Sequence, residues 1–184
     1  MKRLCIYVLT VLTALSAFTY ESKAQDWGPG SFGTYHGGMN SDGSIPSKCY
    51  RGIVEWSNGL GHEEYVTELS GSYGYQFNSW FYLGGYISVG ITEDWEDPYN
   101  DGGYYFCPFC ICLGLDARAY MSKGKMAPFV AAQFGVDYGN GVYLNGLIGV
   151  RYALNSKSAL NISLKVGSAR SWQGYQAIAV GYEF

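Results

Sequence analysis

The densest concentration of reactive side chains in this sequence is Cys107-Pro108-Phe109-Cys110-Ile111-Cys112. A CxxC pair does redox chemistry when a helix N-terminus stabilises its thiolate, whereas this segment reads as a strand. In a strand, Cys107 points to one face and Cys110 and Cys112 to the other. Same-face neighbours stand about 6.5–7 Å apart, which disfavours a disulfide between Cys110 and Cys112. Metal binding requires further ligands, and the only histidines are His36 and His62. The cysteines are therefore read as small structural residues, with no metal and no cofactor implied.

Two other groups could do chemistry. Glu93, Asp94, Glu96, Asp97 and Asp101 crowd into one short segment, 93–103, that also carries Trp95 and Tyr99. Several carboxylates on a loop can hold calcium, or bridge through it to anionic lipopolysaccharide, but this spacing fits no standard calcium loop. The plainer reading is a solvated acidic loop. His62-Glu63-Glu64, with Ser57 or Ser171, could form a hydrolytic group of a lipid-modifying enzyme, provided the fold brings a serine to the histidine. A histidine beside two carboxylates is more simply a polar loop, and no catalytic residue is assigned.

What positions these groups follows from composition. In 184 residues there are 18 tyrosines and 26 glycines; aromatic residues reach 17% while charged ones are only 15%. Soluble domains carry about 25% charged residues. Poverty in charge with wealth in aromatics implies a surface that largely does not face water. After the N-terminus no run of ~18 apolar residues exists to make a membrane helix. A membrane protein without helices has to be a closed barrel, because lipid cannot satisfy an open sheet edge.

The first residues read as a secretory signal. Lys2 and Arg3 form a positive n-region, Leu4 to Phe18 an apolar stretch, and Ser22-Lys23-Ala24 offers the small residues a signal peptidase reads. Cleavage is expected after residue 24 or 25. Removal of residues 1–24 moves the formal charge from −3 to −5. No basic patch remains, so nucleic-acid binding has no electrostatic support. Residues 25–48 are rich in Gly, Ser and Pro without periodicity and read as a flexible lead-in.

From Cys49 onward, alternation takes over. Leu160, Ile162, Leu164 and Val166 oppose Asn161, Ser163, Lys165 and Gly167, a strand with one apolar and one polar face. The same two-faced pattern runs through 50–58, 66–77, 80–91, 105–121, 127–138, 142–152 and 175–184. That makes eight strands, an even count as bacterial outer-membrane barrels have. The expected fold is all-β: an eight-stranded antiparallel up-and-down transmembrane β-barrel over residues 49–184.

A soluble barrel turns its apolar face inward, and a membrane barrel inverts this. The face carrying the charges here also carries Gly114, Gly135, Gly149, Gly167, Ala177, Ala179 and Gly181, as suits a narrow, filled lumen. Its charges nearly balance: Glu55, Glu68, Asp116, Asp137 and Glu183 against Arg51, Arg118, Arg151 and Lys165. Buried charges persist when paired. Trp80, Tyr82, Tyr86 and Tyr120 join Arg118 and Arg151 as lumen fillers, so a conducting channel is disfavoured. Aromatics gather near strand ends, with Tyr73, Tyr75, Phe77, Tyr152 and Phe184 at one rim and Tyr104, Tyr105, Tyr138 and Trp172 near the other. Short turns at 78–79, 122–125 and 155–158 share the rim of Phe184; the connection 92–103 lies opposite and faces outward.

From Tyr50 to the end, the chain resembles the small outer-membrane β-barrel proteins of Bacteroidetes-type bacteria, related in architecture to the membrane domain of OmpA and OmpX. The residues that carry this are Tyr50-Arg51-Gly52-Ile53-Val54-Glu55, Gly74-Tyr75-Gln76-Phe77-Asn78, Ala127-Pro128-Phe129-Val130, Gly149-Val150-Arg151-Tyr152, Lys157-Ser158-Ala159-Leu160-Asn161 and Val180-Gly181-Tyr182-Glu183-Phe184. Tyr182 and Phe184 resemble the terminal signal by which the barrel assembly machinery recognises its clients. The resemblance implies the outer membrane of a Gram-negative bacterium, with membrane lipid and lipopolysaccharide as surroundings. The expected role is structural or surface interaction through the outer loops. The alternatives are a lipid-modifying enzyme and a small-solute porin; the extracellular partner is left open.

Overall fold

The computed structural model describes residue 45 and residues 48–61, 64–94, 109–137, 141–155, 158–169 and 173–184. The signal segment, nearly all of the lead-in, most of the acidic connection, His62, Cys107 and Ser171 lie outside the described residues.

Eight strands follow in order: β1 Cys49–Leu60, β2 Glu64–Asn78, β3 Phe81–Asp94, β4 Phe109–Tyr120, β5 Met126–Asp137, β6 Gly141–Ala153, β7 Ala159–Ala169 and β8 Gln173–Glu183. Each pairs antiparallel with its sequence neighbours, and β1 also pairs with β8, so the sheet closes on itself. Closure leaves no strand edge with unpaired backbone groups. The seam runs from Ile53↔Glu183 to Leu60↔Gln176. Beyond it, Gly52 and Phe184 exchange both backbone hydrogen bonds, each at 3.0 Å.

The period of two decides what goes where. Inward positions carry Arg51, Glu55, Tyr82, Asp116, Gln133, Arg151, Asn161 and Lys165, all buried. Outward positions carry the aliphatic residues: Phe134, Ile148, Ile162 and Leu164 are each more than half exposed. Among the described side chains, no outward-facing strand residue is charged. This is the reverse of a water-soluble barrel.

Two boundaries differ from the sequence reading. Trp80 was expected to fill the lumen, but it sits in a two-residue turn and is 55% exposed. Asn78 causes this: its side-chain oxygen accepts the backbone N–H of Trp80 (3.0 Å) and of Phe81 (2.9 Å), which pulls Trp80 out of the strand. A register shift between Gln76 and Asn78 accompanies the turn. Glu93 and Asp94 were read as loop, yet their backbone continues β3, with Tyr65↔Glu93 and Glu64↔Asp94 in register. A strand pair continues as long as backbone partners are available, and the tally of charges in a segment does not say where that ends.

Glycine permits the tight curvature at specific inward points. Gly114 on β4 faces Gly135 on β5. A Cβ on Gly135 would lie 2.1 Å from the Leu113 carbonyl oxygen and 2.6 Å from the Gly114 Cα. The two strands approach there more closely than any side chain allows.

Candidate functional site

The lumen collects nearly all the polar chemistry of the described strands. Its charged groups fall into three tiers along the barrel. The tier nearest the ends of β1 and β8 is organised by Glu183, which is fully buried. Its carboxylate is paired with Arg51 and accepts from Arg151 Nε at 2.9 Å, Asn161 Nδ2 at 2.9 Å and the Tyr120 hydroxyl at 3.3 Å. Arg51 also donates to Gln76 Oε1 at 2.5 Å and lies 5.4 Å from the Tyr120 ring centre. Side chains from β1, β2, β4, β6, β7 and β8 thus converge on one network.

The middle tier is held by Arg118. Its guanidinium forks onto Glu55, with Nη1 at 2.9 Å and Nη2 at 2.7 Å from the two carboxylate oxygens. It also donates to Asp116 Oδ2 through Nε at 2.9 Å and Nη2 at 2.7 Å. β1 and β4 are not neighbours in the sheet, so this fork spans the lumen. Phe129 lies under the guanidinium, 5.6 Å away, and the hydroxyls of Ser72 and Tyr82 share a hydrogen bond of 2.7 Å beside it. Bidentate arginine–carboxylate pairs are the strongest and most directional of protein ion pairs.

In the third tier Lys165 Nζ donates to both oxygens of Glu68, at 2.8 and 2.9 Å, and to the Tyr86 hydroxyl at 3.4 Å. Tyr86 itself donates to Glu68. Tyr143 stacks obliquely on Tyr86 with ring centres 5.9 Å apart, and the Tyr175 hydroxyl donates to Asn145 at 3.3 Å. Asp137 lies buried further along β5. Arg51, Glu55, Glu68, Asp116, Arg118, Asp137, Arg151, Lys165 and Glu183 are all buried.

The partners that sequence reasoning missed are the neutral ones. Gln76, Asn161, Gln133 and Asn145 are buried and carry much of the hydrogen bonding. Strand parity puts each on the polar face, but the sequence reading assigns them no site role. Ile45 was missed as well. It falls in the lead-in, yet it is 2% exposed and packs in the cluster of Ile53, Tyr82, Tyr120, Ala127, Phe129, Ala131 and Leu147. Its N–H donates to the Lys123 carbonyl at 3.2 Å. Lys48, at a left-handed φ of 59°, turns the chain into β1 while its N–H bonds the Gln76 carbonyl at 2.7 Å. The β4–β5 turn that holds Ile45 stands across the ring from the β1–β8 seam. Ile45 therefore stoppers this end of the lumen.

The remaining candidates are not assembled on the described residues. Ser57 is buried on the inward face of β1, while His62 and Ser171 lie outside the description. Cys49, Cys110 and Cys112 are thiols, not disulfides, and among the described residues no group of His, Cys, Asp and Glu is arranged to hold a metal.

Outside, the rim shared by β1 and β8 is aromatic. Tyr50 stacks on Tyr73 at 6.0 Å and meets Tyr75 edge-on at 5.1 Å; Tyr75 meets Phe77, Phe77 meets Phe81, and Trp80 leans on Phe81. Tyr182 and Phe184, the expected assembly signal, continue the band, 6.4 Å apart. The Phe184 ring lies over Gly52, where a Cβ would come within 2.4 Å of it. An aromatic ring over a bare glycine shields a seam that would otherwise be thin. Gly52→Val is expected to push the ring aside at a cost of about 1–3 kcal/mol, measured as a lower urea midpoint of unfolding.

No protein family and no curated protein sequence matches the chain. Among solved structures it is similar to a de novo designed transmembrane β-barrel, at 15% identity and a TM-score of 0.48 over 77% of this chain and 98% of that one. It is also similar to Neisserial surface protein A, at 12% identity and a TM-score of 0.48 over 73% of this chain and 94% of that one.

Proposed function

We propose that this chain is a small barrel of the bacterial outer membrane, with a filled lumen and a structural or surface-interaction role, and that it is not a wide pore. One observation carries the reading: in a closed sheet, every charged strand side chain whose burial is described points inward, and the outward face is predominantly apolar. Soluble monomers rarely expose contiguous apolar patches above a few hundred Å², and here large exposed apolar side chains occur on all eight strands. In water that surface would aggregate; in lipid it is the solvated face. The aromatic rim supports the same depth assignment, because amphipathic rings belong at the membrane–water interface.

The Bacteroidetes-type, OmpA/OmpX-like affiliation and export by a cleaved signal peptide belong to this proposal, supported by the motifs and the N-terminal pattern. The end holding the short turns then faces the periplasm, and the connection between β3 and β4 faces outward. That connection, with Glu96, Asp97, Asp101, Trp95 and Tyr99, is the surface on which an external partner or lipopolysaccharide would act. Tyr182 and Phe184 are the segment the assembly machinery would read. Three crossed lumen ion-pair tiers and the Ile45 stopper favour a scaffold over a solute path, since eight strands leave room for little beyond side chains.

Fractionation with heat-modifiable gel mobility tests the reading. The protein is expected in the outer-membrane fraction, with the unboiled band migrating differently from the boiled one. Recovery in the soluble periplasmic fraction would overturn it. Steady large conductance in planar bilayers would refute the closed lumen.

A further inference from the structure

From Lys48 onward, the lysines left outside the lumen gather at one end of the barrel, and the acidic residues left outside it at the other. At the end where β1 starts and β8 finishes, Lys48, Lys123 and Lys125 are exposed. Lys157 falls by sequence in the β6–β7 connection of the same end. No described acidic side chain accompanies them; Glu183, the nearest in sequence to that end, is turned inward and fully buried. Every acidic residue after Cys49 that is not in the lumen belongs by sequence to the opposite end: Glu63 and Glu64 at the β1–β2 connection, and Glu93, Asp94, Glu96, Asp97 and Asp101 at the β3–β4 connection. Along the barrel axis the acidic residues after Cys49 outside the lumen all lie at one end, which by sequence also carries Arg170 in the β7–β8 connection.

The lysines are also placed at a defined depth. Lys125 Nζ lies 5.1 Å over the ring of Tyr152, an outward-facing member of the aromatic rim. Its carbonyl accepts the Ala153 N–H at 2.8 Å, and the Lys123 carbonyl accepts Ile45 at 3.2 Å. The turn bearing these lysines is thus pinned to the barrel wall directly beyond the apolar belt and its aromatic border. A lysine ammonium on a four-carbon stem at that level sits among lipid headgroups.

We infer that Lys48, Lys123 and Lys125 form a collar that docks on the anionic phospholipid headgroups of the leaflet at this end. The collar fixes the barrel's depth at this end. This rests on the membrane reading above and adds the lipid class. Compact, strongly hydrated ammonium groups attract a negatively charged surface additively, and salt screens that attraction.

The test folds the full urea-unfolded chain into vesicles of phosphatidylcholine, or of phosphatidylcholine with an equal amount of phosphatidylglycerol, at low salt. The folded fraction across urea is read from the unboiled gel band. Although the protein is net negative, phosphatidylglycerol is expected to raise the folding equilibrium constant by on the order of fivefold per lysine, with the gain disappearing at high salt. The Lys48→Gln/Lys123→Gln/Lys125→Gln variant is expected to match the parent in pure phosphatidylcholine and to lose the response to phosphatidylglycerol. Equal stability of the parent in both vesicles, or a variant that keeps the full response, would overturn the collar while leaving the barrel standing. A chain that folds into neither vesicle would overturn the membrane reading, and the collar with it.

Discussion

Replacing Glu183 by Gln is expected to remove about 3–5 kcal/mol of stability, the usual cost of breaking a buried ion pair by deleting one partner. Glu183 is the shared anion of Arg51 and Arg151 and the acceptor for Asn161 and Tyr120. The amide keeps the shape and some of the hydrogen bonding but supplies no charge. Two guanidiniums then face each other across a lumen that water enters poorly, and arginine does not neutralise itself by shedding a proton. Arg151→Gln is the informative contrast, because Glu183 keeps Arg51. That change is expected to cost about 1.5–3 kcal/mol, the worth of a hydrogen bond to a charged group. Urea titrations of the folded band in lipid vesicles would order parent, Arg151→Gln and Glu183→Gln. Equal losses for the two variants would mean that Glu183 is not the hub.

The tiers also explain how so many charges coexist in a narrow barrel. The first holds two arginines and one glutamate, the middle one arginine between Glu55 and Asp116, and the third the neutral pair Glu68–Lys165. A surplus of one positive charge in the first tier neighbours a surplus of one negative charge in the middle. Burying ions costs free energy even when they are paired, so an apolar filling could be as stable. What the ions add is geometry. Arg118 joins β1 to β4, Lys165 joins β7 to β2, and Glu183 joins β8 to β1, β4, β6 and β7. A slip of any strand by one residue would turn its charges out into the apolar face. The network therefore specifies the register of the closed sheet more than it deepens its stability.

Most of the fold was legible in the sequence because a closed barrel leaves each strand two environments of opposite polarity, and a period of two records them directly. Leu160 to Gly167 shows this without exception. The lumen charges were legible for the same reason. Legibility failed where alternation stops. Trp80 continues the parity of Tyr82, yet the side chain of Asn78 folds it into a turn, an interaction two residues long that no periodic pattern encodes. Ile45 stands in a segment of turn-forming composition, and its burial depends on the far β4–β5 turn, whose proximity is a property of the closed ring. Which arginine meets which carboxylate was equally hidden: Arg118 and Glu55 lie 63 residues apart, and only strand stagger brings them level.

Gly135→Ala is expected to cost about 3 kcal/mol or more, at the upper end of what overpacking does, although a single methyl group inside a protein would ordinarily be tolerated. The reason lies in what the methyl meets. Its contacts would be the Leu113 carbonyl oxygen at 2.1 Å and the Gly114 Cα at 2.6 Å, backbone atoms of the paired strand that have no rotamer to change. To admit it, β4 and β5 would have to separate, which strains their ladder beside the Tyr86–Tyr143 contact. Gly71→Ala and Gly146→Ala are the controls. Both are outward-facing, and their nearest atoms stand 3.9 Å away, so changes within about 1 kcal/mol in either direction are expected. Urea midpoints and folding yields for the three variants separate two causes of glycine richness. If Gly135→Ala behaves like the controls, the inward glycines do not set the curvature of the barrel; if it alone fails, the Gly114–Gly135 approach is a corner on which closure depends, and the inward and outward glycines serve different ends.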